Sequence, residues 1–259
     1  MNSNDYIAVF DSGVGGISVL RHLVRQLPQE RFLYFGDSAN APYGTRTKEE
    51  VKNLTLAVAE KLQGRGIKAL VVACNTATSA AIGELRAAYP DLTVIGIEPA
   101  LKLAANMFPR GTIGVMATPM TLREEKFNSL MARFSETCTI HKLPAPGLVE
   151  LVESGKADSP ETEELLRKLF APHSHLDALV LGCTHYPFVI PVISRIFQGK
   201  VALLDGGEGT ARQTKRRLAE KNLLRTGEGE VIIENSLNSP ELIQLSWQLL
   251  GQQGGSYGK

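Results

Sequence analysis

Cys74 and Cys183 each follow a short apolar run, and each is followed at once by small polar residues, Asn75-Thr76 in one case and Thr184-His185 in the other. A cysteine alone is most often a small buried apolar residue, and Cys138, which lacks such neighbours, is read that way. Two thiols facing one another across a ligand suit a particular step, in which one removes a proton from a carbon while the other delivers a proton to the opposite face. That step is racemisation without a cofactor. It needs a thiolate and a thiol together, and an unperturbed cysteine of pKa about 8.5 is only a few per cent thiolate near neutrality. A helix N-terminus supplies about 0.3 to 1 kcal/mol, less than the 1.36 kcal/mol of one pKa unit, so ionisable helpers are required. The sequence offers Asp11, which ends an apolar run, and His185, two residues beyond Cys183. Asp11 could accept a thiol proton or hold Cys74 protonated by like-charge repulsion; otherwise it is a turn or N-cap carboxylate. His185 could pair as imidazolium with a Cys183 thiolate or return its proton; otherwise it is a helix-start residue bonded to backbone.

Ser12, Asn75, Thr76, Thr118 and Thr184 supply neutral hydroxyl and amide groups that could hold the carboxylates and amine of an amino acid without an arginine, although each alone could cap a helix. Asp11-Ser12-Gly13-Val14-Gly15-Gly16 suits either a structural turn or an anion cradle, and is not a dinucleotide fingerprint. Pro42-Tyr43-Gly44 places a tyrosine where it could line a site or mark a bare turn, and Pro187 fits a first helical turn. Zinc on Cys74, Cys183 and His185 lacks a fourth ligand. A non-catalytic anion- or nucleotide-binding module built on Gly13–Gly16 is the rival of another class, and it predicts that both cysteines are dispensable.

These residues stand at the ends of strands. Runs rich in Val, Ile and Leu recur before helix-length segments, as in buried parallel strands of an α/β protein. They are Ile7–Phe10, Phe32–Gly36, Ala69–Ala73, Val94–Ile97, Ile113–Met116, Thr139–Leu143, Ala178–Leu181 and Val201–Leu204. The last four lie over the first four at a nearly constant offset: 106 residues from Ile7 to Ile113, 109 from Ala69 to Ala178, and 107 for the Phe32/Thr139 and Val94/Val201 pairs. The chain reads as a duplicated four-strand unit, with both cysteines in equivalent places. Pro99 and Pro109-Arg110-Gly111 bracket the passage between halves, and Asp205-Gly206-Gly207-Glu208-Gly209 marks the exit from the second. A basic helix (Thr210–Leu223), a strand (Val231–Ile233) and a helix (Pro240–Leu250) follow, and the polar tail from Gly251 to Lys259 is expected to fray.

The 259 residues carry 28 Lys+Arg against 27 Asp+Glu, a formal charge of +1, so no field of one sign is available for nucleic acid. The first residues lack a secretory pattern and no apolar run nears the roughly 20 residues of a membrane span, so a cytoplasmic protein without membrane or nucleic-acid partners is expected. Three cysteines at long spacing form neither a disulfide framework nor a structural zinc pattern.

Asp11-Ser12-Gly13-Val14-Gly15-Gly16, Phe35-Gly36-Asp37, Pro42-Tyr43-Gly44, Ala73-Cys74-Asn75-Thr76-Ala77-Thr78 and Gly182-Cys183-Thr184-His185-Tyr186-Pro187 together resemble the signature stretches of the glutamate racemase family, in its order and over nearly the whole chain. The resemblance implies two pseudo-symmetric α/β lobes, each a mostly parallel sheet flanked by helices, with the active site between them. The first lobe would comprise residues 1–97 plus 208–259 and the second residues 98–207. It implies an isomerase that interconverts L- and D-glutamate without cofactor or metal and supplies D-glutamate for bacterial peptidoglycan. A homodimer is expected. Carried over by position, Cys74 and Cys183 become the acid/base pair with Asp11 and His185 as assistants. Asp11, Ser12, Tyr43, Gly44, Asn75, Thr76, Thr118, Thr184 and His185 become substrate contacts. An aspartate or related amino-acid racemase is the nearest rival within the same chemistry. The family's assisting glutamate falls on either Glu153 or Glu150, because the stretch Leu143 to Glu153 lacks the usual Cys-Pro. Some relatives have an N-terminal extension tied to activation by a cell-wall precursor; this chain begins almost at its first strand, so no such dependence is expected.

Overall fold

The apolar runs form parallel strands because each is flanked by a turn and a helix long enough to cross back over the sheet. The computed structural model describes residues 1–98, 100–173 and 175–251. Pro99 and tail residues 252–259, on which the sequence raised expectations, lie outside the described residues.

The chain divides into two compact units, Met1–Ile97 with Gly207–Lys259, and Glu98–Gly206. The first begins with β1 (Tyr6–Asp11), α1 (Ile17–Gln26), β2 (Arg31–Gly36), α2 (Lys48–Gln63), β3 (Ile67–Val72), α3 (Asn75–Ala88) and β4 (Thr93–Gly96). The second holds α4 (Leu101–Met107), β5 (Thr112–Ala117), α5 (Pro119–Arg123), α6 (Glu125–Ala132), β6 (Thr139–Pro144), α7 (Leu148–Glu153), α8 (Pro160–Phe170), β7 (Ala178–Leu181), α9 (Ile190–Ile196) and β8 (Ala202–Asp205). The chain then returns to the first unit with α10 (Gly207–Glu220), β9 (Glu230–Asn235) and α11 (Pro240–Gly251).

The sheets run β4-β3-β1-β2-β9 and β6-β5-β7-β8, with every pairing parallel. Reversed, the second reads β8-β7-β5-β6, which is the order of the first four strands of the other sheet. The α/β class and the duplication therefore hold, and β9 is an addition that covers the outer edge of β2. The central registers coincide as well: Ile7 lies opposite Ala69 and Ile113 opposite Ala178. Even the first bond beyond the ladder repeats, from Ala73 N to Phe10 O at 2.8 Å and from Gly182 N to Met116 O at 2.7 Å.

The outer strands correct the sequence alignment. Phe32 pairs with Ile7 as Ile140 pairs with Ile113, so its equivalent is Ile140, one residue beyond the expected Thr139. Val94 pairs with Leu70 as Leu203 pairs with Leu179, two residues beyond the expected Val201. β6 and β8 are sheet edges with few fully buried positions, so their apolar residues constrain an alignment weakly.

β3 is buried along its whole length although it contains Lys68. The β1/β3 register steps at Tyr6/Ile7, and Lys68 is the residue stepped over. Its ammonium reaches Glu30 Oε2 at 2.5 Å and the carbonyls of Ser3 and Leu223 at 2.6 and 2.9 Å, which satisfies all three donors. In the second unit, Ile113, Val115 and Val180 pack with Leu101, Ala104, Phe127 and Met131; Cys138 belongs to this core, as its apolar reading required.

Candidate active site

The polar residues of interest all follow strand carboxyl ends, where helix N-termini leave amides unpaired. In the first unit, Asp11 ends β1 and is wholly buried; its Oδ1 accepts from Gly13 N at 3.0 Å. The glycine loop thus spends one amide on an internal carboxylate. Its glycines serve close approach: a Cβ on Gly16 would come within 2.6 Å of Asp11 Cβ, and one on Gly36 within 2.5 Å of Gly13 O. Tyr34 fixes the same loop by donating its hydroxyl to Gly13 O at 2.5 Å.

Cys74 is the N-cap of α3, and its sulfur accepts from Ala77 N at 3.4 Å. Cysteine is unusual as a cap, and an amide aimed at sulfur suits a thiol that carries negative charge during part of a cycle. Cys74 Sγ also donates to Ser12 Oγ at 3.7 Å. Asn75 and Thr76 open α3 and are buried, and Tyr43 and Gly44 lie buried in the 3-10 turn Tyr43–Thr45, which packs on α3. Tyr43 donates to Asp37 Oδ2 at 2.7 Å. Burial, this bond and the charges of Asp37, Cys74 and Asp11 push the phenol far above its ordinary pKa, so it stays neutral.

In the second unit, Cys183 and Thr184 follow β7 and lead through His185 into the 3-10 turn Tyr186–Val189, with Pro187 in its first turn as expected. His185 Nδ1 lies 3.7 Å from Cys183 Sγ, and its Nε2 lies 2.6 Å from Glu153 Oε1. Thiol, imidazole and carboxylate are therefore in line, and Glu153 rather than Glu150 touches the ring. Glu153 is placed there by Gly147, whose left-handed φ of 84° turns the chain into α7, with Glu153 its last residue. Burial alone would push the imidazolium of His185 down. The hydrogen bonds to Cys183 and Glu153, with their negative charges, outweigh it and hold the ring well above the usual histidine value. Thr118 caps α5, accepting from Thr121 N at 3.2 Å, and its hydroxyl lies 3.0 Å from that of Thr121. Tyr186, buried beside these groups, is kept neutral by desolvation and by the charges of Cys183 and Glu150.

A sequence model of the Asp/Glu/Hydantoin racemase family matches residues 7–214. The chain belongs to this racemase family. The glutamate racemase of Clostridium acetobutylicum is 53% identical over 251 residues, covering 95% of this chain and 98% of its own. A crystal structure of a glutamate racemase isoform from Bacillus anthracis matches with a TM-score of 0.87 at 30% identity, covering 97% of this chain and 96% of that one. The Escherichia coli glutamate racemase, solved with L-glutamate and the activator UDP-MurNAc-ala, matches with a TM-score of 0.85 at 29% identity and 96% coverage of each chain. The α/β fold with two parallel sheets is that of these racemase structures. Among the described residues no helix is long and apolar enough to cross a membrane.

Within each unit the expected residues gather. Asp11, Ser12, Tyr43, Gly44, Cys74, Asn75 and Thr76 stand at one sheet's carboxyl edge, and Thr118, Cys183, Thr184 and His185 at the other's. Sequence reading gave no role to Tyr34 or Thr121. Asp37 was singled out at the end of its strand and within Phe35-Gly36-Asp37, but without a role. Thr121 stands three residues after Thr118 but is not the Glu or Gln of a capping box, so its type carried no signal.

Proposed function

We propose that this racemase interconverts L- and D-glutamate without a cofactor, with Cys74 and Cys183 as the two proton-transfer groups. The observation that carries the reading is the pair of thiols at register-equivalent strand ends, one beside the His185 imidazole, in a chain 53% identical to a glutamate racemase over nearly its whole length. In each direction one cysteine, as thiolate, takes the α-proton and the other, as thiol, gives its proton to the opposite face of the planar carbanion. After turnover the protonation states of the two sulfurs are exchanged. His185 with Glu153 supports the Cys183 sulfur, and Asp11 with Ser12 attends the Cys74 sulfur. Asn75, Thr76, Tyr43, Gly44, Thr118 and Thr184 hold the substrate through neutral groups. The reading includes D-glutamate supply for peptidoglycan, a cytoplasmic location and a homodimer.

The test is proton NMR of the purified protein with L-glutamate in heavy water, without pyridoxal phosphate or metal, with chirality followed in parallel. Loss of the α-proton with loss of optical purity is the expected result. Exchange with aspartate but not glutamate would reassign the substrate, and no exchange with either would overturn the reading. Cys74→Ser and Cys183→Ser should each lose at least about a hundredfold in turnover while folding normally, the usual scale of general acid/base contributions. Near-normal turnover in either variant would remove that cysteine from the mechanism.

A further inference from the structure

The loop that carries Tyr43 is held from two sides by groups the proton-transfer scheme does not use. Inside the loop, Asp37 is buried and its carboxylate accepts from Tyr43 Oη at 2.7 Å and from Asn40 Nδ2 at 3.0 and 3.2 Å. Its own N–H donates to Asp11 O at 2.9 Å, which ties this hub to the end of β1. Asn40 O in turn accepts from Arg46 Nε at 2.8 Å, closing the loop on itself. From outside, Ser236, the residue after β9, donates its N–H to Gly36 O at 2.9 Å, and its hydroxyl accepts from Ala39 N at 2.8 Å. β9 is the strand without a counterpart in the second unit. The returning C-terminal segment therefore braces a loop that the duplicated unit alone would leave at a sheet edge.

The orientation of the Tyr43 hydroxyl follows from these bonds. Its single proton is committed to Asp37, so its oxygen can act toward any other group only as an acceptor. Rotation of the ring is resisted by the buried carboxylate on one side and by the packing of the turn on α3 on the other. Tyr43 also lies within electrostatic reach of Cys74 and Asp11.

We propose that Asp37 and Ser236 are positioning residues that set Tyr43 for the reaction at the Cys74 end of the first sheet, with β9 as the brace. The proposal rests on the racemase reading above. Neither residue touches the reacting carbon in this scheme; both act through Tyr43 and its loop.

The test combines kinetics with glutamate and amide hydrogen exchange of residues 39–46, in wild type, Ser236→Ala, Asp37→Asn, Tyr43→Phe and the double variant Asp37→Asn/Tyr43→Phe. Asp37→Asn should raise KM about tenfold, the equivalent of one net hydrogen bond, with kcat nearly unchanged. Ser236→Ala, which loses a single exposed bond, should raise KM by roughly threefold on the same scale and keeps the test open if Asp37→Asn folds poorly. Both should speed exchange at Ala39, Asn40, Ala41 and Arg46 while the β1 and β3 amides are unchanged. In the Tyr43→Phe background Asp37→Asn should add no further KM penalty. An undiminished penalty there, or loop exchange and KM unchanged in both single variants, overturns the proposal while leaving the racemase reading intact. A wild-type protein that exchanges no α-proton of glutamate overturns both.

Discussion

Replacing Gly16 by alanine tests whether the glycine loop exists to seat Asp11. The new Cβ would lie 2.6 Å from Asp11 Cβ and 3.1 Å from both Asp11 Cγ and Tyr34 Cε2. Carbon atoms in contact prefer about 3.5 Å or more, so the closest pair must part by about 0.9 Å. The atom met first is a Cβ, fixed by the strand end rather than by a rotatable tip, and β1 is bonded to strands on both sides. The shift therefore falls on Asp11 or on the start of α1, and it strains the bonds of Gly13 to Asp11 and to Tyr34. Overpacking of this kind costs about 1–3 kcal/mol of stability. A displacement near 1 Å of a group that serves the reaction costs roughly a hundredfold in turnover. The assay is polarimetric or NMR-detected racemisation of glutamate beside urea unfolding. Gly83→Ala is the control, because nothing lies within 4 Å of its Cβ and it sits on an exposed face of α3; it should gain about 0.5–1 kcal/mol. Gly16→Ala with turnover within about twofold of wild type would refute the link between the loop and Asp11, whatever its stability.

Glu153→Gln removes the charge that helps hold His185 protonated, so turnover near neutrality should fall roughly tenfold to a hundredfold, the worth of one charge-assisted hydrogen bond; an unchanged pH–rate profile would remove Glu153 from the mechanism. Because the folded pKa of His185 is raised, its stabilisation is full below the unfolded value of about 6.5 and is lost as pH rises through the folded value. The stability gap between wild type and Glu153→Gln in urea should therefore be widest near pH 6 and narrow toward alkaline pH, and a gap that widens instead would contradict the assigned direction. Lys68→Met leaves Glu30 buried without its cation and should cost about 3–5 kcal/mol in urea unfolding, with a loss under about 1 kcal/mol counting against a structural role for the pair.

The central strands were legible because burial on both faces forces unbroken Val/Ile/Leu runs, and the Cys74/Cys183 alignment at an offset of 109 is the register found in the sheets. The edge strands slipped by one and two residues because half-exposed positions accept almost any side chain. Glu150 and Glu153 stand within one turn of the same helix, and only the direction in which α7 leaves Gly147 decides which meets His185. Lys68 lay just outside the strand read as Ala69–Ala73, and its partner Glu30 lies 38 residues away and belongs to the turn before β2. Ser236 was invisible for the same reason: its contact with Ala39 spans 197 residues and depends on β9 joining β2.

The duplicated frame also bears on how two like thiols would take unlike roles in the proposed mechanism. At the position of Asp11 the second unit has Ala117, and at the position of His185 the first has Thr76. In the proposed mechanism each half thus has the ionisable helper that the other lacks, Asp11 in one and His185 in the other. A two-base racemisation needs one thiolate and one thiol at every instant, and two identical half-sites that do not feel one another would ionise independently, leaving much of the protein with both sulfurs in the same state. Helpers of opposite chemistry make the two half-sites unlike without altering the reacting groups. Making the two halves alike should then be worse than deleting one helper: Asp11→Ala with Thr76→His gives each half an imidazole at the His185 position and neither a carboxylate at that of Asp11. If that double variant matched Asp11→Ala in turnover, the asymmetry would be incidental to the reaction.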